Sequence, residues 1–364
     1  MPKKILFFCG GSYVFGKEIV TLNLLEELYA KGVQIHCIVN GWNNGDFIQR
    51  LKVIGITYDE VKLGFFYLKK PFWTLDSLLH YPSALFQIRN VLKAFNPDIL
   101  YFYSERTMVS VYPLIKNKDA ILHLNEPIAN SKLNRFIINN FPGSRLTYVV
   151  CSKFILSKLA QLVPVEQQDV HVIYNAIEVR ERAEKNSDKE DIHIGVVGQL
   201  RHHKGQDILI RALAKLKAWK FKLSIYGSGE KAFEDELKQL MNDLDVSERI
   251  EFKGFEKNID IIYANLDIVV VPSRSEEPFG LVAIEPAQWK IPVIVSKRGG
   301  LPEVVQDGVT GLVFESENVD VLAEKLLLLF ENSDLRITLG TNALERANLL
   351  FDKKVMGDAF YNLI

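Results

Sequence analysis

The sequence predicts an α/β protein built from two domains, each a parallel sheet covered by helices. Three observations carry this. Short apolar runs of strand length alternate with helical stretches along the whole chain. The alternation stops once, at a charged segment, and then begins again. A length of 364 residues with 48% hydrophobic residues is enough for two separate cores.

The first strand is KILFFCG from Lys4, and the helical EIVTLNLLEELYAKG follows it. VQIHCIV, DILYFYS, AILHLNE, LTYVVCS and VHVIYNA continue the strand series as far as Ala176. Runs of this kind, apolar at successive positions, suit strands buried on both faces. The segment ERAEKNSDKED, 181–191, holds no large apolar residue and reads as the interdomain linker. Beyond it DIHIGVVGQL starts a fresh series, continued by a helix over 205–216, KLSIYGSG, a helix ending near Leu240, RIEFKGF, DIVVVPS, PVIVSK and GLVFE. The tail FDKKVMGDAFYNLI spaces Val355, Met356, Ala359, Phe360 and Leu363 as one face of a packed helix.

Composition excludes several classes. Cys9, Cys37 and Cys151 are odd in number and lack CxxC or zinc spacing, so buried thiols of a reducing cytosol are expected. The opening MPKKILFFCGG breaks at Gly10-Gly11, too early for a signal peptide. No apolar run reaches the eighteen or so residues of a membrane span, leaving peripheral contact as the only bilayer mode expected. Net charge is −1, but residues 1–180 hold 20 Lys+Arg against 14 Asp+Glu, and the remainder 24 against 31. A first domain of +6 suits an anionic surface or acceptor. Nucleic acid is not expected, because no basic run with interleaved aromatics and no recognised motif occurs.

Function concentrates between Pro272 and Gly311, where Glu277 and Glu285 stand eight positions apart around Phe279-Gly280-Leu281. Glu277 falls in the loop after a buried strand, where α/β sheets bind ligands. LVAIEPAQW reads as the following helix, with Gly280 allowing close backbone approach and the Leu281 and Val282 N–H groups facing a phosphate. Glu285, one turn in, offers two acceptor oxygens to a ribose diol. Gly198-Gln199-Leu200-Arg201-His202-His203-Lys204-Gly205 sets two cations between a strand and a helix. Adjacent His202 and His203 diverge and form no metal site. Asp243-Leu244-Asp245 reads as a surface turn, far from any glycine-rich loop.

The 272–311 segment closely resembles the E-x7-E donor site of the family 4 retaining glycosyltransferases. Pro292-Val293-Ile294, Gly299-Gly300 and Pro302-Glu303 recur in the family's order. The resemblance implies the GT-B fold, α/β with two facing Rossmann-like domains and a cleft between them. It places 1–182 with 345–364 in an N-terminal acceptor-side domain and 190–344 in a C-terminal donor-binding domain. It implies that Arg201 and Lys204 hold a donor diphosphate, Glu277 the sugar hydroxyls and Glu285 the ribose. His123, at a strand's C-terminal edge, corresponds to a family histidine beside the reacting carbon. Gly254 and Phe255 pack the nucleotide base; Gly10, Gly11, Phe279, Gly280, Leu281 and Val282 line the donor or the reacting centre. Glu126 and Ser104-Glu105-Arg106 are further acceptor-side candidates.

The implied reaction is metal-independent retaining transfer of a hexose, with UDP-glucose or UDP-N-acetylglucosamine favoured, to a glycan or lipid-linked acceptor. Polysaccharide or lipopolysaccharide assembly, on the cytoplasmic face of a membrane, is the implied setting. A further candidate for membrane contact is 62–73, which mixes cations with aromatics. No cofactor or metal is expected. Asn175-Ala176, Pro286 and Lys290 depart from the family pattern without removing a donor contact. A hydrolase built on the two glutamates is disfavoured, since eight helical residues separate them by about 12 Å, outside glycosidase geometries. A nucleotide-sugar-binding protein or scaffold without turnover is the alternative.

Overall fold

Hydrophobic strands thirteen to thirty-seven residues apart can pair in parallel only through crossovers, and the computed structural model shows this twice. It describes residues 3–63, 71–182 and 191–364. The chain divides into two compact units, Met1–Glu178 with Lys353–Ile364, and Val179–Asp352.

The first unit holds β1 (Lys4–Cys9), β2 (Gln34–Asn40), β3 (Thr57–Val61), β4 (Ile99–Phe102), β5 (Asp119–Leu124), β6 (Leu146–Val150) and β7 (Asp169–Val172). They form one parallel sheet in the order β3-β2-β1-β4-β5-β6-β7. The order reverses direction between β1 and β4, the switch point where such sheets bind ligands. In the second unit β8 (Ile192–Val197), β9 (Phe221–Tyr226), β10 (Ile250–Gly254), β11 (Ile268–Val271), β12 (Val293–Ser296) and β13 (Gly311–Phe314) repeat the plan as β10-β9-β8-β11-β12-β13. Ile194, Ile225, Ile268 and Ile294 are fully buried beneath Leu213, Leu322 and Leu326 of the flanking helices.

Two local differences from the sequence reading have physical causes. The helix expected after Gly280 is a pair of 3₁₀ turns, Leu281–Ala283 and Glu285–Trp289. Pro286 lacks the N–H that an α-helix would bond to Val282 and crowds that carbonyl. The return to the first unit comes at Lys353 rather than at 345, because Ser333–Leu350 is one helix with Leu344 and Ala347 in the second unit's core. Lys290 adopts φ 52°, the left-handed conformation that glycine fills at no steric cost.

The terminal helix Lys353–Tyr361 belongs to the first unit through both packing and charge. Met356 and Phe360 are buried, with the Phe360 ring 5.1 Å from His123. Lys353 lies among Glu26 (2.9 Å), Glu178 (3.4 Å) and Glu27 (4.0 Å). Replacing Phe360 with Ala should lower the stability of this unit by about 3–5 kcal/mol, the range for emptying a buried aromatic site. Urea unfolding checks it, and an unchanged midpoint would mean that the helix contributes nothing to the unit.

Candidate active site

The second unit's site is assembled from two loops that the chain brings together at the ends of β8 and β11. After β8, Arg201 leads into a 3₁₀ turn His202–Lys204 that ends at Gly205 with φ 72°. A Cβ on Gly205 would overlap the Pro272 carbonyl oxygen, so glycine lets the two backbones touch. Arg274 closes the join. Its guanidinium donates to both Asp207 oxygens, at 2.7 and 2.6 Å, and to the His202 carbonyl at 2.8 Å. Each side chain is 16% exposed. The pair holds the Asp207 carboxyl below its ordinary range, against a burial that acts the other way.

This join sets Lys204 against Glu277. The ammonium donates to Glu277 Oε1 at 2.6 Å, and the Ser273 hydroxyl donates to the same oxygen at 2.7 Å. The Glu277 backbone is pinned from the other side, where the Gly300 N–H bonds its carbonyl at 2.7 Å. Gly299, at φ 58°, leaves no room for a Cβ against that carbonyl. Arg201 lies near Glu230, 3.6 Å away, with half of its side chain open to solvent.

Glu285 sits eight positions on, its carboxyl deep in the fold although the residue keeps some exposed surface. Tyr263 donates to its Oε2 at 2.6 Å. Burial raises the Glu285 pKa, and the tyrosine hydrogen bond offsets part of that rise. Phe279 is buried against Phe351, so any ligand contact from it comes from its backbone. Leu281 and Val282 open the first 3₁₀ turn and are half-buried. The strand ends of β8, β9 and β10 form a ledge of glycines: Gly198 bonds the Tyr226 carbonyl, and Gly227 bonds the Gly254 carbonyl at 2.7 Å. Phe255, next along, is exposed.

In the first unit Gly10 takes φ 85°, and a Cβ on Gly11 would press on the Glu18 carboxyl. Glu18 accepts from the Phe15 N–H at 3.2 Å, and burial raises its pKa. His123 is fully buried, and its Nδ1 lies 2.6 Å from the Tyr101 hydroxyl. Its Nε2 has no hydrogen-bond partner among the described residues, nor has either amide atom of Asn125. Burial, with Lys17 nearby, lowers the His123 pKa to about 3. The imidazole is therefore neutral at physiological pH. Glu126 is exposed, and Ser104 caps the short helix that begins at Glu105.

Sequence comparison agrees with this architecture. The family model described as glycosyl transferases group 1 matches residues 178–346, and glycosyltransferase family 4 matches 15–181. An uncharacterised glycosyltransferase of Methanocaldococcus jannaschii is 30% identical over 278 residues, 74% of this chain and 76% of that protein. The chain is a family 4 glycosyltransferase. A D-inositol 3-phosphate glycosyltransferase of Corynebacterium glutamicum is 35% identical over 162 residues, 42% of this chain but only 38% of that protein. Among solved structures, a glycosyltransferase from Rickettsia africae shares the GT-B fold with a TM-score of 0.84 at 21% identity, over 100% of this chain and 97% of that one. Anabaena HepE, solved with UDP and glucose, aligns over 99% of both chains with a TM-score of 0.77 at 20% identity.

The glycosyltransferase thus has Lys204, Glu277, Ser273, Arg274 and Asp207 gathered within one unit, with Tyr263 behind Glu285. Ser273, Asp207, Arg274 and Tyr263 escaped the sequence reading. A serine four residues before Glu277 was the one local signal available; the other partners are 67 and 22 residues from the groups they hold.

The buried His123 gives the enzyme an acid sensitivity with a defined sign. Its folded pKa is below the unfolded value of about 6.5, so the unfolded chain binds the extra proton between about pH 3 and 6.5. Stability from this group is complete above pH 6.5 and falls on acidification, by about 2–3 kcal/mol at pH 4.5. Glu18 and Glu285, raised by burial, act in the opposite direction. Comparing wild type with His123→Asn isolates the histidine: urea unfolding at pH 7.5 and 4.5 should show a smaller acid loss in the variant. Equal losses would mean that His123 does not control the slope.

Proposed function

We propose that the protein is a retaining hexosyltransferase that takes its sugar from a nucleoside diphosphate donor and needs no metal. The observation that carries this reading is the Lys204–Glu277–Ser273 cluster, with the half-exposed Arg201 three residues before Lys204 and the Glu285 carboxylate held by Tyr263. Two cations and a helical turn offer a diphosphate its counter-charges without an ion. Glu277 binds sugar hydroxyls, and Glu285 binds the ribose diol. Gly254 and Phe255 border the base, and the glycine loop of Gly10 and Gly11 together with His123 is assigned to the reacting end. The acceptor oxygen bonds to the anomeric carbon as the bond to the phosphate breaks, and the acceptor proton passes to the departing phosphate. Arg201 and Lys204 stabilise the charge growing there.

UDP-glucose or UDP-N-acetylglucosamine is the donor we favour, a choice supported by Anabaena HepE, whose structure holds UDP and glucose. Isothermal titration of nucleotide sugars in chelator tests donor and metal together; binding only to a guanosine donor, or only with a divalent ion, overturns this part. Glu285→Ala should weaken UDP and UDP-sugar binding alike by about 1–3 kcal/mol, the effect of orphaning a ribose diol. Glu277→Ala should lower transfer far more than UDP binding. Equal losses of UDP affinity in both variants contradict the roles, and a wild-type protein that binds donor yet transfers to no acceptor favours the scaffold.

We further propose a cytoplasmic enzyme that docks on an anionic membrane bearing a glycan or lipid-linked acceptor of polysaccharide assembly. Among the described residues no helix is long and apolar enough to cross a bilayer. The helix Pro71–Phe95 exposes Phe72, Leu75, Leu79 and Phe86, and then Arg89 and Lys93, all at three-, four- or seven-residue spacing. An apolar stripe continued by cations suits the headgroup boundary. Most of the 62–73 candidate, residues 64–70, lies outside the described residues. Vesicle cosedimentation should rise with phosphatidylserine content, fall with salt, and drop in a Leu75→Ser, Leu79→Ser variant. Binding indifferent to all three would remove the membrane from the scheme.

A further inference from the structure

Arg182 joins two elements of the second unit whose side chains meet at Glu285. One is the short helix Ile259–Tyr263, and the other is the 3₁₀ turn Glu285–Trp289. The Arg182 guanidinium lies 5.4 Å from the centre of the Trp289 ring, and its Nε lies 3.4 Å from Asp260 Oδ1 in the first turn of the helix. At the other end of that helix Tyr263 packs its ring 5.5 Å from the Trp289 ring and donates its hydroxyl to Glu285 Oε2 at 2.6 Å. The contacts therefore close into a ring. We propose that Tyr263, Trp289 and Arg182 are positioning residues that hold the Glu285 carboxylate ready for a ribose diol. The proposal rests on the reading of Glu285 as the ribose ligand and names what fixes it there.

Backbone bonds keep Arg182 in register with the turn. Its N–H donates to the Gln288 carbonyl at 2.9 Å, and the Arg180 N–H donates to Gln288 Oε1 at 3.1 Å. Gln288 is buried, and its Nε2 lies 3.5 Å from the Glu285 carbonyl oxygen. A buried amide must find partners, so Gln288 draws the crossing segment onto the turn that carries Glu285. At the start of that segment the Val179 N–H donates to the Asp352 carboxylate at 3.0 Å. Both ends of 179–182 are thus tied. The helix is fixed as well, because Asn258 Oδ1 caps it by accepting from the Asp260 N–H at 2.9 Å.

Such a ring matters to a ligand because a glutamate that grips two hydroxyls must have every side-chain torsion set. Ordering those torsions at the moment of binding would oppose it. Tyr263 sets them beforehand. It is fully buried, so the packing of its ring fixes where its hydroxyl lies. By donating, that hydroxyl keeps the carboxyl an acceptor; a carboxylate offers about four acceptor directions and Tyr263 takes one, while a diol brings two donors. Arg182 acts at one remove. A guanidinium over the indole face and against a carboxylate holds Trp289 to Tyr263. Its side chain is 28% exposed, so it can be replaced without opening the core. A ring that served stability alone would leave the affinity gained from the diol untouched.

Isothermal titration of the full chain with UDP and with its 2′,3′-dideoxy analogue separates the diol from the rest of the nucleotide. Wild type should bind UDP about tenfold tighter than the analogue, or more. Tyr263→Phe removes only the hydroxyl; it should cut that ratio to about two and leave affinity for the analogue unchanged. Arg182→Met and Trp289→Leu should each cut the ratio about threefold. In transfer assays Tyr263→Phe should raise the donor KM about tenfold and keep kcat within about twofold, because the ribose is held equally before and during reaction. Should Trp289→Leu fail to fold, the half-buried Arg182→Met and the near-isosteric Tyr263→Phe carry the test. A ratio that survives Tyr263→Phe or Arg182→Met overturns the proposal, as does an equal loss of affinity for both ligands, which would make the ring purely structural. A wild type that binds UDP no tighter than the analogue, or a Glu285→Ala variant that preserves the ratio, overturns the ribose reading of Glu285 and the proposal with it. That failure is distinguishable, because it appears with the ring unchanged.

Discussion

The Arg274–Asp207 pair is the constraint on which the second unit's site depends. It joins the loop after β11 to the first turn of the helix Gln206–Ala214, 67 residues away in sequence. Both groups are largely buried, and a bidentate charge-assisted geometry is what makes such burial tolerable. Removing either leaves an uncompensated charge in the join, a change that costs more than the pair contributes. Lys204 and Glu277 each lie three residues from a member of this pair, on opposite sides of the join. The staple therefore brings their backbones into range of the 2.6 Å contact that their opposite charges complete.

Such close approach restricts which residues the loops tolerate. Gly205 and Gly299 each touch a carbonyl of the facing loop while holding a positive φ, two conditions that only glycine satisfies together. This is why much of the site was legible in the sequence: the constraint marks glycines at strand ends, and strand ends follow from apolar periodicity. The E-x7-E spacing with its FGL turn was legible through its resemblance to the family 4 donor site. Pro286 then shows the limit of periodicity, since an apolar pattern suited to a helix cannot override a missing N–H, and 3₁₀ turns result.

Contacts between distant residues were not legible. Nothing near Tyr263 announces that its hydroxyl meets Glu285, because tyrosine in an apolar run reads equally as core. His123 shows a subtler loss. Its place at the end of β5 was correctly inferred, yet the Phe360 ring from the far end of the chain covers it and Tyr101 bonds it. A position along a strand is local information, whereas burial depends on what folds over it.

The two glutamates of the motif lie in unlike surroundings. Glu277 has a cation and a hydroxyl on the same oxygen, so on the proposed reading a diphosphate that recruits Lys204 leaves the carboxylate with Ser273 and not alone. That arrangement suits a group whose partners change during a reaction, because a buried charge that lost its only partner would raise the barrier. The Glu285 carboxyl accepts from the Tyr263 hydroxyl in a deeper setting that already disfavours its charge. A diol there adds hydrogen bonds to a carboxylate that burial has left short of them, so binding strengthens the ionised form. On the proposed reading, donor binding and Glu285 ionisation are thus linked, and the nucleotide gains affinity from a desolvation that folding has already imposed.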